Sequence, residues 1–263
     1  MTVLLAIIGH PVSHSLSPRI HSAFAERYGL PYTYAAFDIA PERLEEFIGA
    51  ARLLRMGGFN LTMPHKERVL PLLDEIDPRA RGCAAVNTVV AEGDRLRGLN
   101  TDGDGFVLSL GGVKPSSALI LGAGGASKSV ALALARVGVK VTIAARRADG
   151  LELAGIEYIS WDELPAAARG RDLLVNATPL GMHGVGSDFE DLSFLDGLEG
   201  GATVYDMIYV PKQTSLLREA RTKGFAVMNG LPMLVWQAAL AFKHFTGVMP
   251  DNTDEILKEL LYE

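Results

Sequence analysis

The sequence predicts an α/β protein of two domains, each built on a mostly parallel sheet. Three observations predict it. Short apolar runs alternate with amphipathic helical stretches up to about Asn100. The alternation restarts near Asp102, with a glycine-rich turn between a strand and a helix at Gly122. At 263 residues the chain is long enough for one large core or two smaller ones.

In order, Val3–Ile8 is a continuous apolar run and reads as a buried first strand. Ser17-Pro18 opens a helix, with Ser17 as N-cap and Pro18 at the first helical position. Ile20, Phe24 and Tyr28 share one face of it. Tyr32–Phe37 is a second strand. Pro41–Leu54 is a helix with Leu44, Phe47, Ile48, Ala51 and Leu54 as its apolar stripe. Gly58–Leu61 is a third strand. Thr88–Ala91 and Leu96–Leu99 flank Glu92-Gly93-Asp94-Arg95 and read as a hairpin, an antiparallel edge on a mostly parallel sheet. In the second half Ala118–Leu121, the glycine turn, helix Ala126–Val137 and strand Lys140–Ala144 form one βαβ unit. Strands Tyr158–Ile159, Leu173–Asn176, Thr203–Asp206 and Ala226–Met228 follow, with helix Thr214–Lys223 between the last two. Helices Leu231–Thr246 and Asn252–Leu261 end the pattern. Gly184–Gly200 is the least regular stretch and reads as a mobile loop.

Composition excludes several classes. A net charge of −6 without any basic run argues against nucleic acid as a partner. No apolar run reaches the roughly 18 residues of a membrane span. The start of the chain lacks the basic region of a signal peptide. A single cysteine, Cys83, rules out an internal disulfide and fits a reducing cytoplasm. None of the six histidines shows ligand spacing such as His-x-x-x-His within one helix, so no metal is expected.

Four strings carry chemistry. Gly122-Ala123-Gly124-Gly125-Ala126 follows a strand and opens a helix, the context in which a glycine turn holds a pyrophosphate on a helix N-terminus. At the end of the next strand Ala145-Arg146-Arg147 offers two guanidinium groups and no acid, which favours NADP over NAD. Asp149 lies close enough in sequence to reach a ribose. Asn60-Leu61-Thr62-Met63-Pro64-His65-Lys66 and Asn100-Thr101-Asp102-Gly103 each set one charged residue beside a turn or helix start. Lys66 at a helix start faces the unfavourable end of the helix dipole, a placement poor for stability and tolerable for function. Asp102 before Gly103 reads equally as an N-cap. Together they are the parts needed to deliver a proton to an oxygen gaining negative charge. Ser15 and Ser17, after the first strand, suit a polyol or carboxylate ligand. Side-chain amides are scarce, with six Asn and two Gln, yet Asn60, Asn87, Asn100, Asn176, Asn229 and Gln237 all fall in or beside such strings. Those points therefore need both a donor and an acceptor.

The ordered strings resemble the shikimate dehydrogenase family over nearly the whole chain. The resemblance runs through Gly9-His10-Pro11, His14-Ser15-Leu16-Ser17-Pro18, the lysine and aspartate strings, Ala85-Val86-Asn87-Thr88 and the glycine turn. It continues through Asn176-Ala177-Thr178-Pro179-Leu180-Gly181-Met182, Asp206-Met207-Ile208-Tyr209, Gly230, Met233-Leu234 and Gln237-Ala238. It implies reversible NADPH-dependent reduction of 3-dehydroshikimate to shikimate in aromatic amino-acid biosynthesis. Lys66 and Asp102 would be the catalytic pair. Ser15, Ser17, Asn60, Thr62, Asn87, Asp102, Tyr209 and Gln237 would line the shikimate pocket. Gly122, Ala123, Gly124, Gly125, Ala126, Ala145, Arg146, Arg147, Met207 and Gly230 would hold NADP. The chain departs from the family at Ala145, where Asn is usual, and at Ser22. The implied organisation is a substrate domain of residues 1–100 plus 236–263 and a Rossmann-type NADP domain of residues 101–235. The final helices return to the first domain, so that Gln237 faces Lys66, and a homodimer is left open. A quinate/shikimate dehydrogenase with NAD use is the nearest alternative, and Arg146-Arg147 speak against it. A folate dehydrogenase on a similar plan is disfavoured by the small polar pocket, and a non-catalytic regulator by the intact Lys66–Asp102 pair.

Overall fold

The computed structural model describes residues 2–147, 151–184 and 186–262. Its elements are β1 (Val3–Gly9), α1 (Ser17–Arg27), β2 (Tyr32–Asp38), α2 (Leu44–Leu53), β3 (Gly58–Leu61), α3 (His65–Arg68), β4 (Glu75–Ile76), α4 (Pro78–Gly82), β5 (Thr88–Glu92), β6 (Arg95–Leu99) and α5 (Asp102–Ser109). They continue with β7 (Ser117–Leu121), α6 (Gly125–Arg136), β8 (Lys140–Ala145), β9 (Glu157–Ser160), α7 (Leu164–Ala167), β10 (Leu173–Asn176), β11 (Thr203–Asp206), α8 (Ser215–Thr222), β12 (Ala226–Met228), α9 (Leu231–Thr246) and α10 (Thr253–Tyr262). The chain divides into two compact units, Met1–Gly105 with Leu234–Glu263, and Phe106–Met233.

The first unit holds a sheet in the order β2-β1-β3-β5-β6-β4. β1 pairs in parallel with β2 and β3, while β5 runs antiparallel to β3 and β6. The hairpin is therefore not the edge it was expected to be. β4 adds outside it, parallel to β6. Asp74 fastens that two-residue strand by accepting from the Leu96 amide at 2.7 Å and from Arg52 at 2.8 Å. β1 reads as one apolar run because both of its faces are covered. Ala6 and Ile8 pack with Leu44, Ile48, Phe59 and Val89, whereas Leu5 and Ile7 pack with Tyr34 on the other face.

Two helix ends differ from expectation. In α1 Ser17 is the first helical residue and Leu16 the N-cap, without a side-chain cap. The Ser15 hydroxyl instead accepts from the Ser17 amide at 3.2 Å. Ser15 thus covers one end donor, the Ser17 amide itself, from one turn-length upstream of where a cap at Ser17 would have acted. Leu54 caps the end of α2 and is 63 % exposed, so it drops out of the predicted stripe, while Leu44, Ile48 and Ala51 are buried. Phe24 of α1 meets Phe242 of α9 with ring centroids 5.4 Å apart, which seats the late helix in this unit.

The second unit holds an all-parallel sheet in the order β12-β11-β10-β7-β8-β9. Counted from β7, this is the 3-2-1-4-5-6 order of doubly wound dinucleotide-binding sheets. The order reverses between β7 and β10, where such sheets open a ligand crevice. Ile120, Val130, Val141, Val175 and Tyr205 form the core on one face, and Leu119, Leu121, Leu174, Val204 and Leu216 on the other. Each fully buried aliphatic side chain contributes roughly 1.5–3 kcal/mol relative to exposure. The stretch expected as a mobile loop is anchored in part. Ser193–Gly197 forms a 3-10 turn whose Phe194 and Leu195 are buried in that core. Among the described residues no helix is long and apolar enough to cross a membrane.

Candidate active site

The lysine and the aspartate are brought together within the first unit. α3 is a single turn after β3, pinned at two points. The buried His65 ring donates from Nε2 to the Ile39 carbonyl at 2.8 Å, and the Lys66 carbonyl accepts from the Val86 amide at 2.8 Å. This sets Lys66 next to the Asn87 strand end. Asp102 opens α5 as its first residue rather than as its N-cap. Its amide is held by Asn100 Oδ1 at 3.0 Å, and a carboxylate in this first turn is favoured by the helix dipole. Lys66 Nζ lies 2.7 Å from Asp102 Oδ2, with the side chains 20 % and 5 % exposed. The pair is largely shielded, and part of the Lys66 side chain stays accessible.

Asn87 holds the other carboxylate oxygen. Its Nδ2 donates to Asp102 Oδ1 at 2.7 Å and to Thr101 Oγ1 at 2.9 Å, and it lies 3.4 Å from Gln237 Oε1. Its Oδ1 accepts from the Thr101 amide at 2.8 Å and the Thr88 hydroxyl at 2.9 Å. Asn60 joins the group by donating to the Asn87 carbonyl at 3.1 Å. Gln237 arrives on α9, where Gly105 permits contact, since a Cβ at Gly105 would lie 2.7 Å from the Gln237 amide nitrogen. So Lys66, Asp102, Asn60, Asn87 and Gln237 form one bonded group. Among the described residues Ser15, Ser17 and Thr62 stand outside it. They sit where the chain leaves β1 and β3. The Thr62 amide donates to the Ile8 carbonyl at 2.9 Å, and the Thr62 methyl occupies the place of a side chain at Gly9. Tyr209 belongs to the second unit, and burial pushes its phenol above the usual range.

In the second unit the glycine turn leaves β7. Gly122 has φ +101°, and a Cβ there would stand 2.9 Å from Thr178 Cγ2, so its glycine is required by the turn and by a neighbour. Gly124, the N-cap of α6, makes no side-chain cap bond, and a Cβ on it would meet nothing within 4 Å. The protein itself makes no demand for glycine there. An open approach to uncapped helix amides is what a phosphate needs, so the donor set fits a dinucleotide. Ala123 packs on the core, Gly125 and Ala126 begin the helix, and Ser127 closes the turn by donating to the Gly122 carbonyl. Ala145 is the buried last residue of β8, and Arg146 and Arg147 are exposed beyond it. Asp149 lies outside the described residues. Gly230 abuts Met207, whose carbonyl would collide with a Cβ at that position. Among the described residues no group of three or more His, Cys, Asp or Glu side chains is placed to hold a metal.

Sequence reasoning missed one buried network at these strand ends. Asp206, at the end of β11, accepts from Thr214 Oγ1 at 2.6 Å, Asn176 Nδ2 at 3.0 Å and the Ile208 amide at 3.0 Å. Asn176 Oδ1 in turn holds the Thr178 turn that abuts Gly122. Burial pushes the Asp206 carboxyl up to about 6. An unfolded aspartate titrates near 3.9. Between those values the native state holds more protons than the unfolded one, so this group makes stability fall as pH rises through the window. Urea unfolding at a series of pH values is expected to show wild type losing stability relative to Asp206→Asn from about pH 4 to 6, and a constant difference above. A difference that does not change with pH would refute this.

Comparisons with known proteins agree with the strings and the geometry. Residues 7–89 match the family model described as "Shikimate dehydrogenase substrate binding domain", and residues 230–261 match "Shikimate 5'-dehydrogenase C-terminal domain". A shikimate dehydrogenase (NADP(+)) of Rubrobacter xylanophilus is 45 % identical over 95 % of this chain and 93 % of its own length. That of Methanopyrus kandleri is 39 % identical over 100 % and 96 %. The chain belongs to the shikimate dehydrogenase (NADP(+)) family. The solved shikimate 5-dehydrogenase of Thermus thermophilus, in complex with NADP(H) and shikimate, superposes with a TM-score of 0.88 at 39 % identity, covering 98 % of this chain and 100 % of that one. The family's fold also extends to a quinate dehydrogenase of Corynebacterium glutamicum in complex with NAD, with a TM-score of 0.85 at 32 % identity and coverage of 100 % and 99 %.

Proposed function

We propose that this chain catalyses the reversible NADPH-dependent reduction of 3-dehydroshikimate to shikimate, a step of aromatic amino-acid biosynthesis, with Lys66 and Asp102 as its catalytic pair. The observation that carries the reading is the shielded Lys66–Asp102 contact of 2.7 Å, tied to Asn87, in a chain of this family. NADPH, when bound, supplies the hydride. The Gly122–Ala126 turn, Ala145, Arg146, Arg147, Met207 and Gly230 are the residues to hold it.

The Lys66 ammonium holds the proton that the substrate oxygen takes up as it becomes an alkoxide. Asp102 keeps Nζ aimed and compensates its charge, and also takes a substrate hydroxyl. Asn87 prevents the carboxylate from turning away, which keeps Nζ in one position through the cycle. Ser15, Ser17, Asn60, Thr62, Tyr209 and Gln237 bind the carboxylate and hydroxyls of the small polyol acid. The buried free thiol of Cys83 suits a reducing cytoplasm.

The direct test follows the near-ultraviolet absorbance of reduced nicotinamide, with shikimate and quinate each offered NADP and NAD. Oxidation of shikimate with NADP as the preferred pairing is expected. Preference for quinate with NAD would move the chain to the quinate branch. Asn87→Ala is expected to raise the KM for shikimate about tenfold, the effect of one buried hydrogen-bonding group. It should leave the Kd for NADP, read by calorimetry, unchanged. A large loss of NADP affinity would remove Asn87 from the substrate pocket.

A further inference from the structure

One polar group outside that machinery is wired into it. Tyr34, on β2, is 8 % exposed, and its hydroxyl lies 2.7 Å from Asn60 Oδ1. Its ring stacks on His21 of α1, with centroids 4.1 Å apart and planes within 5°. Phe24, Phe242 and Phe245 surround His21. Burial lowers the His21 ring to about 3, so the stack stays neutral, and burial raises the Tyr34 phenol, so it stays a donor.

The sense of every bond downstream is then fixed. An amide oxygen only accepts, so Tyr34 donates to Asn60 Oδ1. Asn60 Nδ2 is thereby turned to Thr88 Oγ1 at 3.0 Å and to the Asn87 carbonyl. Thr88 has a single hydroxyl proton, and having accepted from Asn60 it gives that proton to Asn87 Oδ1 at 2.9 Å. Asn87 then presents Nδ2, not oxygen, to Asp102 Oδ1 at 2.7 Å. Were the Asn60 amide reversed, Thr88 would turn its proton away, and the Asn87 oxygen would lose that donor and keep only Thr101, through its amide at 2.8 Å and its hydroxyl at 3.3 Å.

We propose that Tyr34 is a positioning residue for the Lys66–Asp102 pair, acting through Asn60, Thr88 and Asn87. The inference rests on the proposed dehydrogenase activity. Tyr34 touches neither member of the pair, and its place within an alternating aromatic strand gives no sign of the role.

The test is Tyr34→Phe, which keeps the ring and its stack and removes only the donor. Its kcat/KM for shikimate is expected to fall about tenfold, as when one buried acceptor loses its partner. The Kd for NADP should not change. The fall should lie in kcat more than in KM, because the lost bond acts on the reacting pair and not on the substrate. In an Asn60→Ala background the same substitution should cost nothing further, since both changes cut one chain. Unchanged kinetics, a change confined to KM, a loss of thermal stability alone, or a loss that multiplies with that of Asn60→Ala would each overturn the proposal. If Tyr34→Phe does not fold, Thr88→Val cuts the same chain two bonds on and is read against the same outcomes. Wild type that does not oxidise shikimate at all would refute the underlying activity instead, so the two failures are distinct.

Discussion

Lys66→Ala is expected to lower kcat for shikimate oxidation by about 10²–10⁴-fold, the usual worth of a positioned acid or base, while KM moves far less. The ammonium matters most as charge develops on the substrate oxygen, so its loss falls on the transition state rather than on binding. Asp102→Asn should be comparably damaged. It keeps the size of the side chain, yet offers Lys66 a neutral partner in place of the carboxylate oxygen 2.7 Å away. The double variant should be little worse than either single one, because the two groups act as a unit. Steady-state kinetics with calorimetric binding of shikimate to all three variants reads this. Near wild-type kcat in Lys66→Ala, or losses that multiply, would dismiss the pair as the proton-transfer device.

The second large effect belongs to cofactor choice. Arg146 and Arg147 follow β8, where a nucleotide 2′-phosphate is recognised in sheets of this order. One hydrogen bond to a charged group contributes roughly 1.5–3 kcal/mol, so two guanidinium groups give NADP an advantage on the order of 10²-fold or more over NAD. Replacing both by alanine is expected to remove most of that advantage by lowering kcat/KM with NADP and leaving kcat/KM with NAD nearly intact. The measurement is kcat/KM for each cofactor in both proteins. An equal drop with NADP and NAD would mean that the arginines maintain the fold and do not select the cofactor.

Much of this architecture was legible because local and tertiary signals coincide. β3, β10, β11, β12 and α9 begin and end where the sequence places them. Each is an apolar run bounded by residues with a stated local preference, such as Asn229, whose Oδ1 takes the Leu231 amide at 3.1 Å. What escaped depends on partners distant in sequence. β4 has two residues, too few for any periodicity, and exists through Asp74 and its β6 neighbour. Ser17 has the composition of an N-cap, but Ser15 supplies the bond from two residues upstream. Lys66 and Asp102 could be suspected as a pair from residue type, although the contact that unites them spans 36 residues. Tyr34 and Asp206 could not. Nothing in an aromatic strand or in a strand-end aspartate says which buried acceptor or donor will meet it after folding.

The all-parallel sheet of the second unit has an evolutionary consequence. Every strand in it delivers its carboxyl end to the same rim, so the glycine turn, Arg146-Arg147, the Thr178 turn and Met207 all emerge together. The opposite rim carries returns such as Gly138 and Gly170, which turn the chain at positive φ. The two rims therefore drift under different constraints. One records ancestry in its residues. The other is free to lengthen, shorten or accept a grafted module, because returns such as Gly138 and Gly170 lie at the far ends of the strands from the glycine turn and Arg146-Arg147.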